Sequence, residues 1–263
     1  MPTTLIIRSA GTNCDQEMIR GFRLAGSDTL VVHLDRLLAD PSPLETCDLV
    51  GFPGGFSYGD DIASGRVFAV KVRERLFPQL RAAARRGVPM LGVCNGFQVM
   101  AQAGLLPDPM AGGKPTIALT QNIGGRFLDD WARVEIDPES PCVWTRGLDL
   151  GLAGEERTHA LRLPLASGEG RFVAASDAVL AQLEANHQIP LRYADNLNGS
   201  QAGVAGVCDP TGRIFGLMPH PDRYLAWTNH PYWTRLPDSL RTGDTPGLRL
   251  FRNAVESVMM AGA

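Results

Sequence analysis

Short apolar runs alternate with amphipathic segments through the first hundred residues. The predicted strands lie at 5–7, 29–33, 48–52 and 88–93, and the predicted helices lie at 15–25, 67–85 and 96–103. A strand followed by a helix, repeated along the chain, is typical of a parallel sheet with helices on both faces. This half of the chain therefore predicts an open α/β fold.

The second half has a different pattern, in which strand-like runs follow one another. These runs lie at 127–136, 170–174, 191–194, 204–208 and 214–218, and a last helix is predicted at 246–260. The segment 209–212, Asp-Pro-Thr-Gly, is a hairpin turn signal between the last two runs. Because no repeat or low-complexity linker divides the chain, we expect one domain, 1–263, with a mixed, mostly parallel sheet.

Composition and charge narrow the class of protein. The net charge of −3 gives no electrostatic reason to expect nucleic acid or an anionic membrane surface as a partner. No apolar run has the length of a membrane span, and the N-terminus lacks a signal-peptide pattern. The five cysteines are scattered without C-x-x-C spacing, so neither a zinc site nor a disulfide framework is indicated. We expect a cytoplasmic protein with reduced thiols.

The segment Gly92-Val-Cys-Asn-Gly96 follows a predicted strand and opens a predicted helix. This is the context of a nucleophile elbow, where small flanking residues let strand and helix approach closely. A helix N-terminus also favours a thiolate. Cys94 is thus a candidate nucleophile, and the alternative is a buried cysteine of the core. Cys14 lacks the flanking glycines, so we expect a structural or interface role for it.

A second candidate follows the predicted strand at 214–218. His220 lies between two prolines, which restrict the backbone on either side of it. Asp222, two residues later, is a carboxylate that could orient the imidazole, which gives a cysteine, a histidine and an acid in chain order. The alternative is an ordinary packed or surface histidine.

Two consecutive glycines, Gly54 and Gly55, come directly after the predicted strand at 48–52. They should lie at the carboxyl edge of the sheet, with backbone amides open to a ligand. Together with the amide of Asn95 they could form an oxyanion hole. The alternatives are a simple turn or a phosphate cradle, and the absence of a following G-K-[ST] disfavours the phosphate cradle.

Six segments of the chain together resemble the class I (triad) glutamine amidotransferases. In chain order, from residue 9 to residue 223, they are SAGTNCDQE, FPGGFSYGDDIASGR, LGVCNGFQ, LTQNIGGRF, GEGRF and GLMPHPDR. A further match, LRLFRNA at 248–254, extends the similarity to nearly the whole chain. The combination of GGFSYGD with MPHP is specific to the branch that contains the glutaminase subunits of phosphoribosylformylglycinamidine synthase. The resemblance implies a flavodoxin-like architecture.

The resemblance also implies a reaction. Cys94 would attack the side-chain amide of L-glutamine and form a γ-glutamyl thioester, while His220 activates the thiol and protonates ammonia, and Asp222 orients His220. Amides near Gly54 or Gly55 and that of Asn95 would hold the oxyanion. The residues expected to bind the substrate glutamine are Gln98 and, in the loop from 122 to 127, Asn122, Gly124, Arg126 and Phe127.

The implied partner is a separate synthase large subunit, which would bind ATP and Mg and use the ammonia in purine biosynthesis. No metal or organic cofactor is implied for the glutaminase step. The resemblance leaves open whether a small bridging subunit takes part. The run from Asp60 to Arg66 could contact the synthase partner, or it could be a solvated loop.

The chain departs from the family at two positions. Glutamate is usual where this chain has Asp222, so the contact with His220 could be longer or bridged by water. Histidine is usual before Gly-Glu-Gly-Arg, where this chain has Ser167. Two alternatives therefore stay open beside the glutaminase: a catalytically weakened assembly subunit of the same fold, or another class I cysteine amidase.

Overall fold

The computed structural model describes residues 1–149, 151–152 and 154–261. The strands in these residues are β1 (Thr3–Arg8), β2 (Asp28–His33), β3 (Leu49–Phe52), β4 (Met90–Val93), β5 (Ile117–Thr120), β6 (Leu128–Ile136), β7 (Arg162–Ser167), β8 (Arg171–Ala174), β9 (Leu191–Tyr193), β10 (Val204–Cys208) and β11 (Ile214–Leu217). The α-helices are α1 (Asp15–Leu24), α2 (Leu34–Ala39), α3 (Pro43–Thr46), α4 (Arg66–Arg75), α5 (Phe77–Arg85), α6 (Asn95–Ala103), α7 (Gly154–Ala160), α8 (Asp177–Ala185) and α9 (Pro246–Ala261). Positions 150, 153, 262 and 263 of the predicted domain lie outside the described residues.

A nine-stranded sheet joins both halves of the chain, in the order β2-β1-β3-β4-β11-β10-β9-β6-β7. The first five strands of this order pair in parallel, and the remaining four pair antiparallel. The predicted α/β class with a mixed sheet is therefore confirmed. Strands β5 and β8 form a separate antiparallel pair.

Helices cover both faces of the sheet, as two neighbouring residues of β3 demonstrate. A Cβ on Gly51 would meet Met18 and Phe22 of α1, whereas the ring of Phe52 lies 6.2 Å from that of Phe68 in α4. Successive side chains of a strand point to opposite faces, so α1 and α4 lie on opposite sides. Phe22 also packs edge-on against Phe251 of α9, with 5.0 Å between ring centroids. None of the described helices is both long and apolar enough to cross a membrane.

Two predicted elements differ from the structure. The single helix expected over 67–85 is divided into α4 and α5 at Leu76, because Pro78 lies in the first turn of α5 and cannot continue the hydrogen bonding of α4. The strand expected at 170–174 forms as β8 but pairs with β5 and does not extend the large sheet. Strands β5 and β7 were not predicted.

Candidate active site

Cys94 lies on a sharp turn between β4 and α6, at the carboxyl end of a parallel strand. Its backbone has φ 52° and ψ −107°, a conformation that non-glycine residues rarely adopt. The two flanking glycines are required by packing, because a Cβ on Gly96 would overlap the carbonyl oxygen of Phe52 and one on Gly92 would overlap Met100. The segment has the strand–turn–helix geometry of a nucleophile elbow.

His220 reaches the same edge of the sheet because β11 pairs in parallel with β4. The amide of Cys94 donates to the carbonyl oxygen of Leu217 at 2.8 Å, and His220 follows three residues later. Nδ1 of His220 lies 3.2 Å from Oδ1 of Asp222. Both side chains are buried, each residue being 1% exposed. The cysteine, histidine and acid predicted from the sequence are thus assembled at one edge.

The electrostatic environment of His220 favours its protonated form. Burial by itself lowers the pKa of the imidazole, but the charges of Asp222 and Cys94 and its hydrogen bonding to both side chains raise the pKa of His220 to about 10. The imidazole is therefore positively charged at neutral pH. An imidazolium beside a sulfur stabilises a thiolate, and it can also give a proton to a leaving amine.

A pocket of about 220 Å³ opens above Cys94 and His220. Three carboxylates and one guanidinium are among the groups that line it. The charged lining residues are Asp60, Asp129, Glu169 and Arg223. The cavity has the size of a small metabolite and combines both signs of charge, which suits a zwitterionic ligand such as an amino acid.

The glycine pair after β3 packs closely around the site. A Cβ on Gly54 would lie 2.9 Å from Cε1 of His220, and one on Gly55, whose φ is +141°, would lie 2.7 Å from the amide nitrogen of Asn13. Gly55 lines the pocket. Within the described residues, its amide donates no hydrogen bond to a protein group, and neither does the first helical amide, that of Asn95.

The comparisons with known proteins agree with this geometry. Residues 1–258 match the family described as the CobB/CobQ-like glutamine amidotransferase domain. The phosphoribosylformylglycinamidine synthase subunit PurQ of Dehalococcoides mccartyi is 39% identical over 259 residues, which cover 96% of this chain and 96% of that protein. The PurQ subunit of Mycobacterium tuberculosis is 37% identical over 256 residues, covering 97% of this chain and 96% of that protein. The chain belongs to the PurQ family of glutamine amidotransferases.

A solved structure supports the same assignment. The structure of PurLQS from Thermotoga maritima matches with a TM-score of 0.71 and 29% identity, covering 98% of this chain and 99% of that chain. The family and the enzyme class predicted from the sequence, glutamine amidotransferase, are confirmed.

The contact between Asp222 and His220 in this PurQ family member is direct, although the sequence allowed a longer or water-bridged contact. At 3.2 Å it is at the long end of the range for hydrogen bonds. Oδ2 of Asp222 is buried and has no hydrogen-bond partner among the described residues. The shorter side chain thus holds the imidazole with one oxygen and leaves the other unsatisfied.

Gln98 lines the pocket one helical turn after Cys94, and both ends of its amide are already bound. Its Oε1 accepts from Nδ2 of Asn95 at 2.9 Å, and its Nε2 donates to the carbonyl oxygen of Glu169 at 2.6 Å. Oδ1 of Asn95 in turn accepts from the amide of Ser57 at 3.4 Å. Gln98 therefore connects the elbow helix to the segment that follows β7.

The loop predicted to bind the substrate is divided in the structure. Only Phe127 of its predicted residues lines the pocket, whereas Gly124 and Arg126 are exposed outside the pocket lining. The side chain of Asn122 is buried, donates to the carbonyl oxygen of Ser167 at 2.7 Å and accepts from the amide of Gly170 at 3.0 Å. Asn122 therefore holds the segment 167–170 in place, and substrate binding by this loop stays a prediction.

Cys14 also lines the pocket, although the sequence indicated only a structural or interface role. Nη2 of Arg223 donates to its sulfur at 3.2 Å. Burial raises the pKa of the Cys14 thiol to about 12, and the charge of Asp222 acts in the same direction. Cys14 is therefore a protonated thiol at neutral pH and a poor nucleophile.

The sequence reasoning gave no substrate-binding role to three residues of the pocket wall, Asp60, Ser64 and Glu169. All three lie inside segments that carry the family resemblance, SYGDDIASG and GEGR. Their position in these segments was the one feature of the sequence that could have indicated a role in the site. It did not distinguish a pocket residue from a surface residue, because the direction of a side chain in an irregular loop is not encoded in a periodic pattern.

Proposed function

We propose that this chain is the glutaminase subunit of a phosphoribosylformylglycinamidine synthase, and that Cys94 is its nucleophile. One observation carries the proposal. Cys94 lies on a strained elbow in the same pocket as a buried, protonated His220 that is held by Asp222. The match to a glutamine amidotransferase family over residues 1–258 supports L-glutamine as the substrate.

The first half of the reaction forms a thioester. His220 already carries the proton, so the sulfur of Cys94 attacks the side-chain amide carbon of glutamine as a thiolate. The carbonyl oxygen takes the negative charge, and the amides of Gly55 and Asn95 stabilise it, with Gly54 letting the loop approach His220. When the carbon–nitrogen bond breaks, His220 returns the proton to nitrogen, and ammonia leaves.

The second half of the reaction restores the thiolate and the imidazolium. A water molecule attacks the γ-glutamyl thioester while His220 accepts one of its protons. The carbon–sulfur bond then breaks, glutamate leaves, and the proton taken from water stays on His220 beside the thiolate of Cys94. Asp222 stabilises the imidazolium in both halves, because its carboxylate remains buried beside Nδ1.

The ammonia would pass to a synthase large subunit that binds ATP and Mg, with or without a small bridging subunit, in the cytoplasm. The PurLQS structure supports a partner of this kind. Phe56 and Phe127 at the pocket are 47% and 53% exposed, and large apolar side chains at a pocket mouth are typical of an interaction surface. We also propose that the chain is one domain, since the large sheet draws strands from both halves.

The test is Cys94→Ala in the complex with the synthase subunit. We expect glutamine-dependent synthesis to fall to background, while synthesis from free ammonia continues at the wild-type rate. In the wild-type chain, a glutamine-mimicking electrophile should label Cys94 and leave Cys14 unmodified, as peptide mapping by mass spectrometry would reveal.

Cys47→Ala is the matched control, because it removes a buried thiol that does not line the pocket. This variant should keep glutamine-dependent synthesis. Full glutamine use by the Cys94→Ala complex would exclude Cys94 as the nucleophile. A wild-type complex that used ammonia but not glutamine would instead indicate an assembly subunit without glutaminase activity.

A further inference from the structure

One wall of the pocket is rich in carboxylate groups that have no positively charged partner. Asp60 and Glu169 both line the pocket above Cys94. Within the described residues, neither carboxylate takes part in an ion pair. Arg223, the one guanidinium of the pocket lining, instead donates to the sulfur of Cys14. Negative charge in this wall is therefore not balanced by the protein.

Ser64 holds the two carboxylates beside one another. Its amide donates to Oε2 of Glu169 at 3.1 Å, and its hydroxyl donates to Oδ2 of Asp60 at 2.8 Å. Ser64 is itself 7% exposed, so these bonds lie inside the wall. The backbone of Glu169 is fixed as well, because its carbonyl oxygen accepts from Gln98. The arrangement is built into the fold and does not depend on mobile surface side chains.

The loop that carries Asp60 has an unusual backbone. Tyr58, Gly59 and Asp60 have φ values of 56°, 71° and 54°, a succession that two of the three residue types rarely adopt. Left-handed residues of this kind persist where the surrounding structure holds them, often at binding sites. Here the result is that Asp60 faces the pocket, while the next residue, Asp61, is exposed and does not line it.

Two acceptor atoms in this wall lack a hydrogen-bond donor. Among residues 1–149, 151–152 and 154–261, neither Oδ1 of Asp60 nor Oγ of Ser167 has a hydrogen-bond partner, and both atoms are buried. Ser167 is 4% exposed and lines the same pocket. Burial and the charge of Glu169 also raise the pKa of the Asp60 carboxyl. Buried acceptors without donors are rare in folded proteins unless a ligand or water satisfies them. The unpaired carboxylates and the two free acceptor atoms therefore suit a ligand group that is positively charged and has several N–H donors.

The α-ammonium group of an amino acid has this chemistry, with one positive charge and three N–H donors. We propose that Asp60 and Glu169 form the subsite for the α-ammonium group of L-glutamine, and that Asp60 determines the preference for a substrate with an α-amino group. This inference rests on the proposed glutaminase function. It assigns the ammonium group to the wall formed by 60–64 and 167–169 and not to the loop at 122–127.

The test compares L-glutamine with glutaramate, which has the same amide and carboxylate but no α-amino group. Wild-type chain in complex with its synthase subunit should prefer glutamine in kcat/KM. In Asp60→Asn, kcat/KM for glutamine should fall by about 10- to 100-fold, the effect of losing one hydrogen bond to a charged group. For glutaramate, kcat/KM should change by less than about threefold, because this substrate has no ammonium group for Asp60 to contact.

A second readout avoids catalysis. The rate at which Cys94 is alkylated by an amino-acid chloroketone that mimics glutamine should fall in Asp60→Asn, whereas alkylation by iodoacetamide should be unchanged. Glu169→Gln keeps the size of the side chain and should also slow labelling by the chloroketone without changing labelling by iodoacetamide. The proposal can therefore still be tested if one of the two variants does not fold. Asp61→Asn is the control, and its ratio of glutamine to glutaramate activity should equal that of the wild type.

The outcomes separate the two hypotheses. If kcat/KM fell equally for glutamine and glutaramate in both variants, the wall would have a structural role. If kcat/KM kept its wild-type value for both substrates, the ammonium group would bind elsewhere. Either result overturns the subsite while leaving the glutaminase intact. Absence of glutamine use by the wild-type complex would instead reject the proposed function.

Discussion

At the scale of single residues, the histidine of the site depends on a carboxylate that is one methylene shorter than the family usually has. Asp222 touches His220 with Oδ1 at 3.2 Å, and its second oxygen has no hydrogen-bond partner in the part of the chain that the structure describes. The negative charge of Asp222 nevertheless acts on His220 in a buried environment, where solvent screens the attraction between them only weakly. The charge of Asp222 should therefore matter more than the number of hydrogen bonds that it makes.

Asp222→Asn keeps the size of this side chain and removes its charge. We expect kcat for glutamine hydrolysis to fall by about 100-fold, a typical contribution of general acid–base catalysis, with KM changed by less than about threefold. The effect falls on kcat because Asp222 orients the imidazolium that protonates the departing nitrogen in the transition state. Steady-state kinetics at saturating synthase subunit measures both constants.

The matched control for this prediction is Asp222→Glu. It restores the residue that the family usually has and keeps the charge, so we expect activity within about tenfold of the wild type. An unchanged kcat in Asp222→Asn would remove Asp222 from the mechanism.

Residues whose role depends on local sequence were predictable, and residues whose role depends on loop conformation were not. Cys94 was indicated by two flanking glycines, and packing explains both of them. Asp60 was assigned only to a partner contact or a solvated loop, because three successive left-handed residues give no periodic signal. Asn122 was assigned to the substrate, but its side chain is bound to the backbone of 167 and 170.

At the scale of elements, the site depends on how closely α6 approaches β3. A Cβ on Gly96 would overlap the carbonyl oxygen of Phe52, which is a backbone atom and cannot rotate away. Relief would require α6 to move away from the sheet. Because α6 begins at Asn95, that movement would also displace the sulfur of Cys94 and the amide of Asn95, which we propose as an oxyanion donor.

Gly96→Ala should therefore weaken both stability and chemistry. We expect the free energy of unfolding to fall by about 1–3 kcal/mol, the usual cost of overpacking, and alkylation of Cys94 by a glutamine-mimicking electrophile to slow by at least about tenfold. Urea unfolding and mass spectrometry of the labelled peptide measure the two effects.

Ala101→Gly on the same helix is the control for this prediction. It destabilises α6 through helix propensity and a small loss of packing, by about 1 kcal/mol or more, without adding atoms near the elbow. This variant should keep the labelling rate of the wild type. Normal labelling in Gly96→Ala would contradict the proposed coupling between helix position and nucleophile.

Element prediction failed where proline interrupts an apolar pattern. Strand β7 contains Pro164, and proline within a run argues against a strand in the interior of a sheet. In the structure, β7 is the last strand of the nine-stranded sheet, an edge position where the missing N–H is tolerated. Because β7 was missed, the segment after it, which carries Glu169, had no predicted place in the site.

At the scale of the whole molecule, one strand pairing assembles the site. Strand β11 begins more than a hundred residues after β4, yet the two pair in parallel, and their carboxyl ends bring His220 to Cys94. No local pattern identifies this pairing. The meeting of His220 and Cys94 at one edge was predicted from the rule that open α/β sheets bind ligands at the carboxyl ends of their strands, and from the family resemblance.

The buried histidine also makes the stability of the whole fold depend on pH. The pKa of His220 is raised from an ordinary value of 6.5 to about 10 in the folded chain. A folded-state pKa above the unfolded one stabilises the fold fully below pH 6.5, and this contribution is lost as the pH rises toward 10. In a chain whose Cys94 cannot supply that proton, stability should therefore decrease with rising pH across this window, with a slope of up to about 1.4 kcal/mol per pH unit for one proton.

The experiment is urea unfolding between pH 6.5 and 8.5, a range below the ordinary pKa of the cysteine thiols, with Cys94→Ala as the parent chain that serves as the wild type here, because a proton given up by Cys94 would cancel the slope. The thiol of Cys14 would add a slope of the same sign only at higher pH, because its pKa is raised from 9.0 to about 12. In His220→Gln the decrease across the range should be much smaller than in the wild type. His33→Gln, which changes a partly exposed histidine of β2, should keep the wild-type slope. Parallel curves for the wild type and His220→Gln would mean that His220 takes up no additional proton on folding, and the imidazolium proposed for the resting site would have to be abandoned.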